Sequence, residues 1–236
     1  PFNSSFSPTS LTALIIGQHE ALTYLDCGLQ YLTSLDISGC SNLDTLYCYS
    51  NQLTSLDVSG CPNLINLGCG DNRLTLLDVS NCPDLEILSC GNNLLTELDV
   101  TKNVKLITLT CGNDDHFLYD SFNKLNSLDV SQNIELTTLN VNNVELSSLN
   151  LSKNTKLTTL NVSYNEFSSL DLSKNTKLTN VDCCLNNFTD ETMNDFYNLL
   201  PEAGFDKYGE PMGELLCDEE LGDKSIAEEK GWYVHD

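Results

Sequence analysis

Basic residues are scarce in this chain, and their scarcity excludes whole classes of partner. Its 236 residues include 11 Lys and Arg against 34 Asp and Glu, a formal charge of −23. Phosphate recognition needs clustered cations, so nucleic acid is excluded and anionic membrane surfaces are disfavoured. The shortage is uneven: Arg73 is the single basic side chain in the first 101 residues, whereas Lys153, Lys156, Lys174 and Lys177 recur later. The N-terminal half is therefore an acidic surface. No apolar run approaches the roughly 20 residues of a membrane span, so no membrane insertion by this segment is expected. An initiator Met, a basic n-region and an apolar h-region are all missing at the start. Pro1 to Ser10, rich in Ser and Pro, reads as the remainder of a linker, and the missing signal says nothing against secretion.

Motifs for chemistry are equally sparse. His19, His116 and His235 are far apart, no Ser or Cys nucleophile motif occurs, and the carboxylates recur along a regular face instead of converging. The chain is expected not to be an enzyme, with no catalytic residues. Close Cys-x-x-Cys pairs, which zinc sites use, and the Asp-x-Asp-x-Asp-Gly pattern of calcium loops are both absent. No metal and no cofactor are expected.

What the chain does have is a period of 21 residues. The pattern Leu-x-x-Leu-x-Cys-x-x-Asn-x-Leu starts at Leu22 and restarts at Leu43, Leu64, Leu85, Leu106, Leu136, Leu157 and Leu178. A unit this short cannot bury its apolar edge alone, so successive copies must stack into a solenoid. Each unit holds two arms, as in Leu64-x-x-Leu67-x-Cys69-x-x-Asn72 followed by Leu74-x-x-Leu77-Asp78-Val79-Ser80-x-Cys82. Both alternate in and out as a short strand requires. The first arm ends in Asn51, Asn72, Asn93, Asn165 or Asn186, where Asn side chains satisfy turn backbone. That favours the first arm as the main parallel sheet and the second as a shorter extended segment. At ~4.8 Å per strand, eight turns make a body roughly 40 Å long.

These motifs resemble bacterial leucine-rich repeat proteins of the nested 21-residue class in which cysteine replaces a core leucine, the internalin J-like type. The Leu-Asp-Val-Ser arm and the segment from Asp223 to Trp232 are similar to secreted or surface leucine-rich repeat proteins of gut Bacteroidetes. The resemblance covers residues 11 to 236, with Val141 and Val162 at the cysteine position as departures. It implies an α/β repeat fold: a right-handed solenoid with a parallel β-sheet on its concave face, short extended segments opposite, and an α/β C-terminal cap. It also implies an extracellular or cell-surface address. The expected division is a linker and half-turn cap over 1–21, eight repeats over 22–188 with the fifth lengthened to 30 residues, and a C-terminal cap over 189–236.

Cys27, Cys48, Cys69, Cys90, Cys111 and Cys183 share one inward position, and Cys40, Cys61 and Cys82 another that becomes Asn103, Asn133, Asn154 and Asn175. In-register strands place such Cβ atoms about 5 Å apart, beyond the ~3.8 Å that a disulfide prefers, so a ladder of buried thiols is expected. Cys184 should point outward, with Cys217 as its nearest candidate partner, bridged or free. Asp36, Asp57, Asp78, Asp99, Asp129 and Asp171 stack on the second arm, interrupted by Asn150. They read as a turn-stabilising polar ladder, with cation binding as the alternative.

Two places break the regularity of the surface. Nine extra residues enter the fifth repeat and bring His116, Phe117, Tyr119 and Phe122 together with three aspartates, either as a binding loop or as a plug over the sheet edge. Tyr24, Tyr47 and Tyr49 fall on outward positions of the first turns and should cluster, as anchors for a ligand or as ordinary exposed tyrosines. After Phe188 the period stops. A helix ends at Pro201, a shorter one runs from Ser225 to Lys230, and Trp232 to Val234 reads as a closing strand. The reading is a noncatalytic, monomeric recognition module for an extracellular or host protein, or a glycan. A structural spacer within a larger surface protein is the alternative.

Overall fold

The computed structural model describes residues 11–113, 122–218 and 221–235. Strands appear in chain order as β1 (Ala13–Ile15), β2 (Tyr24–Asp26), β3 (Ser34–Asp36), β4 (Thr45–Tyr47), β5 (Asn66–Gly68) and β6 (Ile87–Ser89). They continue as β7 (Thr108–Thr110), β8 (Thr138–Asn140), β9 (Thr159–Asn161) and β10 (Asn180–Asp182). Then come α1 (Asp190–Leu199), β11 (Gly213–Leu216), α2 (Ser225–Glu228) and β12 (Trp232–His235). First arms supply β2 and β4 to β10, and these pair in order with β11 and β12 into one ten-stranded parallel sheet. Only the first two second arms form strands, β1 and β3, which pair parallel to each other.

The register is that of the repeat. Leu46 aligns with Leu67, Leu67 with Leu88 and Leu88 with Leu109, and all four are fully buried. Their neighbours on either side in the strand face out, as the period of two demands. Burial fades at the N-terminal end, where Leu14, Ile16, Leu22, Leu25 and Leu35 pack against the core only in part.

Asparagines lace the coils together. Asn72 donates from Nδ2 to the carbonyls of Cys48 (3.0 Å) and Cys69 (3.1 Å) and accepts at Oδ1 from the Leu53 backbone N–H (3.0 Å). One buried amide thereby satisfies backbone groups of two consecutive turns. Asn51, Asn93, Asn165 and Asn186 repeat the pattern. In the fifth repeat the role falls to Asn123, which bonds Cys90, Cys111 and Leu95 in the same way. The second inward row has a donor logic of its own. Cys82 points its thiol at the carbonyls of Val58 and Cys61, and Asn103 directs its amide at the equivalent carbonyls of Val79 and Cys82 (2.9 and 2.8 Å). Thiol and amide are interchangeable there as donors to the same positions, although the buried Oδ1 of Asn103 is left without a partner.

The cap continues the sheet as well as covering it. Thr189 and Thr192 form a reciprocal capping box at the start of α1, which buries Met193, Phe196 and Tyr197. Strand β11 was not evident in the sequence; it pairs with β10 and carries Cys217 into the core. The pairing of Asp182 with Leu216 puts Cys217 beside Cys183, extending the inward row by one member. The sequence expectation had made Cys217 a candidate partner of Cys184. Cys217 is buried against the Tyr197 hydroxyl (3.2 Å) and Cys184 is half-buried, and no disulfide joins the two.

Candidate interaction surface

Outward positions of the sheet form rows that run across the strands. One row is Asp26, Tyr47, Gly68, Ser89, Thr110, Asn140, Asn161 and Asp182, aligned residue by residue. A parallel row two residues later in each turn reads Gly28, Tyr49, Gly70, Gly91, Gly112, Asn142, Ser163 and Cys184. Large side chains therefore crowd one end, glycines follow, and small polar groups fill the remainder.

The tyrosines at the crowded end do come together. Tyr24 and Tyr47 meet edge to face with ring centroids 6.0 Å apart, and Tyr47 meets Tyr49 at 6.4 Å in the same manner. Their directions are set by missing side chains. A Cβ on Gly28 would lie 2.8 Å from Cζ of Tyr49, and one on Gly68 would lie 2.8 Å from Cδ1 of Tyr47. Tyr49 thus lies over Gly28 and Tyr47 over Gly68, each ring using space that its neighbour vacates. Desolvation and the Asp26 carboxylate hold the Tyr24 phenol above its ordinary value.

Beyond Tyr47 the surface drops into a trough. Tyr47 and Tyr49 wall it, Gly68, Gly70, Gly91 and Gly112 floor it, and Ser89, Thr110, Asp71 and Asn92 supply polar groups. The floor cannot accept larger residues without movement: a Cβ on Gly91 would stand 2.0 Å from the Gly112 carbonyl oxygen. At the rim, Asp71 and Asn92 have φ of +54° and +52°, a conformation that short polar residues tolerate. Asn92 Nδ2 donates to Asp71 (2.8 Å), and Asn92 N–H donates to Oδ1 of Asn113 (3.0 Å). The rim is thus tied, coil by coil, to the residue from which the insertion departs.

Of the insertion residues singled out in the sequence, His116, Phe117 and Tyr119 lie outside the described residues. Phe122 is described and exposed. Asn113 and Asn123, the described residues on either side of the insertion, are hydrogen-bonded to each other, and Asn113 directly follows Gly112 at the far end of the trough. The tyrosine patch and Asn113, which precedes the insertion, lie at opposite ends of the same trough. Glycines Gly68, Gly70, Gly91 and Gly112, which form the space between them, were missed. Their signal was present as an interruption in the outward rows, visible only once those rows are aligned across repeats.

The aspartate row of the second arm is accounted for by local bonding. Asp36, Asp57, Asp78, Asp99, Asp129 and Asp171 each accept at Oδ1 from the backbone N–H two residues on, between 2.8 and 3.0 Å, and Asn150 does the same for Ser152. Those bonds, with the hydroxyls of the same residues, lower the carboxyl pKa values. Among the described residues, no group of three or more His, Cys, Asp or Glu is placed to hold a metal ion, and no helix is long and apolar enough to cross a membrane.

Stacked units with this strand arm, an asparagine ladder and a file of buried cysteines define a leucine-rich repeat protein of the internalin-like kind. Its structure is similar to the functional domain of InlJ from Listeria monocytogenes, which includes a cysteine ladder: 34% identity, covering 91% of this chain and 48% of that one, with a TM-score of 0.63. A leucine-rich repeat protein of Leptospira interrogans shares the fold at 24% identity, covering 79% of this chain and 49% of that one, TM-score 0.71. So does the internalin InlF of L. monocytogenes, at 19% identity over 90% of this chain and 66% of that one, TM-score 0.63. The chain spans about half the length of the first two. No protein-family model and no curated protein sequence matches it.

Proposed function

We propose that this protein is a noncatalytic recognition module, acting outside the cell or at a bacterial surface, that binds a macromolecular partner across the sheet face between Tyr24 and the 114–122 insertion. The observation that carries this reading is the trough: aromatic anchors at one end, hydrogen-bonding groups along it, an open floor, and the root of an aromatic loop at the other end. Anchors of low conformational entropy beside adaptable polar groups are what recognition surfaces use. The stacked core holds that arrangement on paired strands, so little ordering remains to oppose binding.

The spacer reading applies to the later repeats, whose outward rows carry Thr138, Asn140, Thr159 and Asn161 with no aromatic among them. Recognition is therefore assigned to the first five repeats, and the last three extend the platform. A panel of purified extracellular proteins and glycans, probed with the intact chain and with a variant lacking residues 114–122, tests this. A partner whose binding weakens at least tenfold on the deletion supports the module. Binding that is unchanged by the deletion and also unchanged by Tyr47→Ala removes the assigned face.

A further inference from the structure

We propose that the trough takes an extended polypeptide segment and seats an Arg or Lys side chain of that segment on the Tyr24, Tyr47 and Tyr49 cluster. This rests on the recognition reading above and names the chemistry of the partner.

Charge points to the cation. Asp26 is the register partner of Tyr47, and Asp71 lines the trough with Tyr47 and Tyr49. Among the described residues, no Lys or Arg lines it. Asp26 is exposed and uses Oδ1 to hold the Gly28 N–H (3.0 Å), leaving its other oxygen toward solvent. Tyrosine faces attract ammonium and guanidinium groups through the ring quadrupole, and a carboxylate close by adds a charge-assisted hydrogen bond. An anionic ligand would meet Asp71 in the trough and Asp26 beside Tyr47, while the one basic side chain nearby, Arg73, lines the neighbouring recess that Asp71 and Asn92 share. The edge-to-face packing, with interplanar angles of 77° and 62°, breaks up the flat platform on which a sugar ring would stack, yet leaves ring faces at differing angles for a side chain to enter.

Dimensions point to an extended chain. From Tyr47 on β4 to Gly112 after β7 there are three inter-strand steps, about 14 Å at the usual spacing, the reach of about four residues of extended polypeptide. Gly68, Gly70 and Gly91 leave room for a main chain to lie low, and Ser89, Thr110 and Asn92 stand where its peptide groups can be bonded.

The test uses the full chain in fluorescence anisotropy with labelled octapeptides of alternating Arg and Ser or of alternating Gln and Ser, and with chitohexaose as the glycan arm. The Arg-Ser peptide is expected to bind, and to bind at least tenfold more weakly to Tyr47→Ala, to Gly68→Thr and to the pair Asp26→Asn with Asp71→Asn. Tyr47→Phe is expected to retain binding. The pair Asp57→Asn with Asp78→Asn removes the same charge from the second arm and is expected to stay within twofold. Gly68→Thr keeps the test decisive if Tyr47→Ala unfolds, because Ser and Thr occupy the equivalent positions at 89 and 110. Equal weakening by the two aspartate pairs, or equal binding of the Gln-Ser peptide, overturns the proposal. Tyr47-dependent binding of chitohexaose without the Arg-Ser peptide overturns it while leaving the recognition reading intact. Tyr47-independent binding of every probe that binds removes both.

Discussion

Asn113 and Asn123 are hydrogen-bonded to one another across the insertion: Asn123 N–H donates to Asn113 Oδ1 at 3.1 Å, and Asn113 Nδ2 returns a bond to the Asn123 carbonyl at 3.3 Å. The nine residues between them are spliced into an otherwise complete coil. Removing 114–122 joins Cys111-Gly112-Asn113 to Asn123-Lys124-Leu125, which matches the run from Cys90 to Leu95 in the preceding repeat at every position except Lys124 for Leu94. That deletion variant is expected to fold, with a melting temperature within a few degrees of the parent, because loop length changes closure entropy only weakly. Loss of cooperative melting would show instead that the insertion is part of the core.

Asn72 supports four hydrogen bonds from a buried position: Nδ2 to the carbonyls of Cys48, Cys69 and Gly70, and Oδ1 from Leu53 N–H. Asn72→Ala leaves the Leu53 N–H without a partner, whereas the carbonyls of Cys48, Cys69 and Gly70 keep bonds from Asn51, Asn93 and Ser50, and a buried unsatisfied group costs about 1–3 kcal/mol. Urea denaturation should show a loss of about 1–3 kcal/mol, against less than ~0.5 kcal/mol for Asn81→Ala on the exposed surface. Similar values for the two variants would contradict the ladder as a stabilising device.

Thiol reactivity provides a third check. Burial pushes Cys27 and Cys82 up to about 11 and Cys61, Cys69 and Cys111 up to about 12. Desolvation, with Asp182 beside it, also brings half-buried Cys184 to about 12. The thiolate is the reactive form, so at pH 8 the native protein should titrate slowly with an aromatic disulfide reagent at nine or more of its cysteines, and all eleven should react at once in denaturant. Several rapidly reacting thiols, or several disulfides, would refute the ladder.

Stability should fall on acidification for a reason located on the second arm. The six aspartates of that row have lowered pKa values in the fold, so their stabilisation is present above the unfolded value near ~3.9 and is lost as pH drops through the lower folded values. Asp57→Asn with Asp78→Asn keeps a turn acceptor, as Asn150 already does, and should flatten the dependence of the melting temperature on pH between about 2 and 4. An unchanged slope would place the acid sensitivity elsewhere.

The architecture was legible because a 21-residue period states it repeatedly, and the inward files of Leu and Cys follow from strand alternation alone. Strand β11 was hidden because the cap has no repeat to compare it with: Gly213 to Leu216 is a short mixed segment that becomes a strand only by pairing with β10. The place of Cys217 beside Cys183 was hidden for the same reason, since the two are neighbours only through that pairing. The tyrosine cluster could be foreseen from outward positions in adjacent turns. The trough could not, because it is made by absent side chains and by the coil-to-coil ties of Asp71, Asn92 and Asn113, which no local pattern displays. Asn123 was legible in principle as the Asn-x-Leu that ends at Leu125, displaced by the insertion.

The tyrosine-walled trough is proposed as the place where this protein meets its partner. The most direct measurement is to determine the affinity of a partner, identified from a defined panel of purified extracellular proteins and glycans, for the parent and for Tyr47→Ala with Tyr49→Ala at matched melting temperature. Binding at least tenfold weaker is expected for the double variant, and equal affinity for the two proteins would show that the trough is not the binding surface.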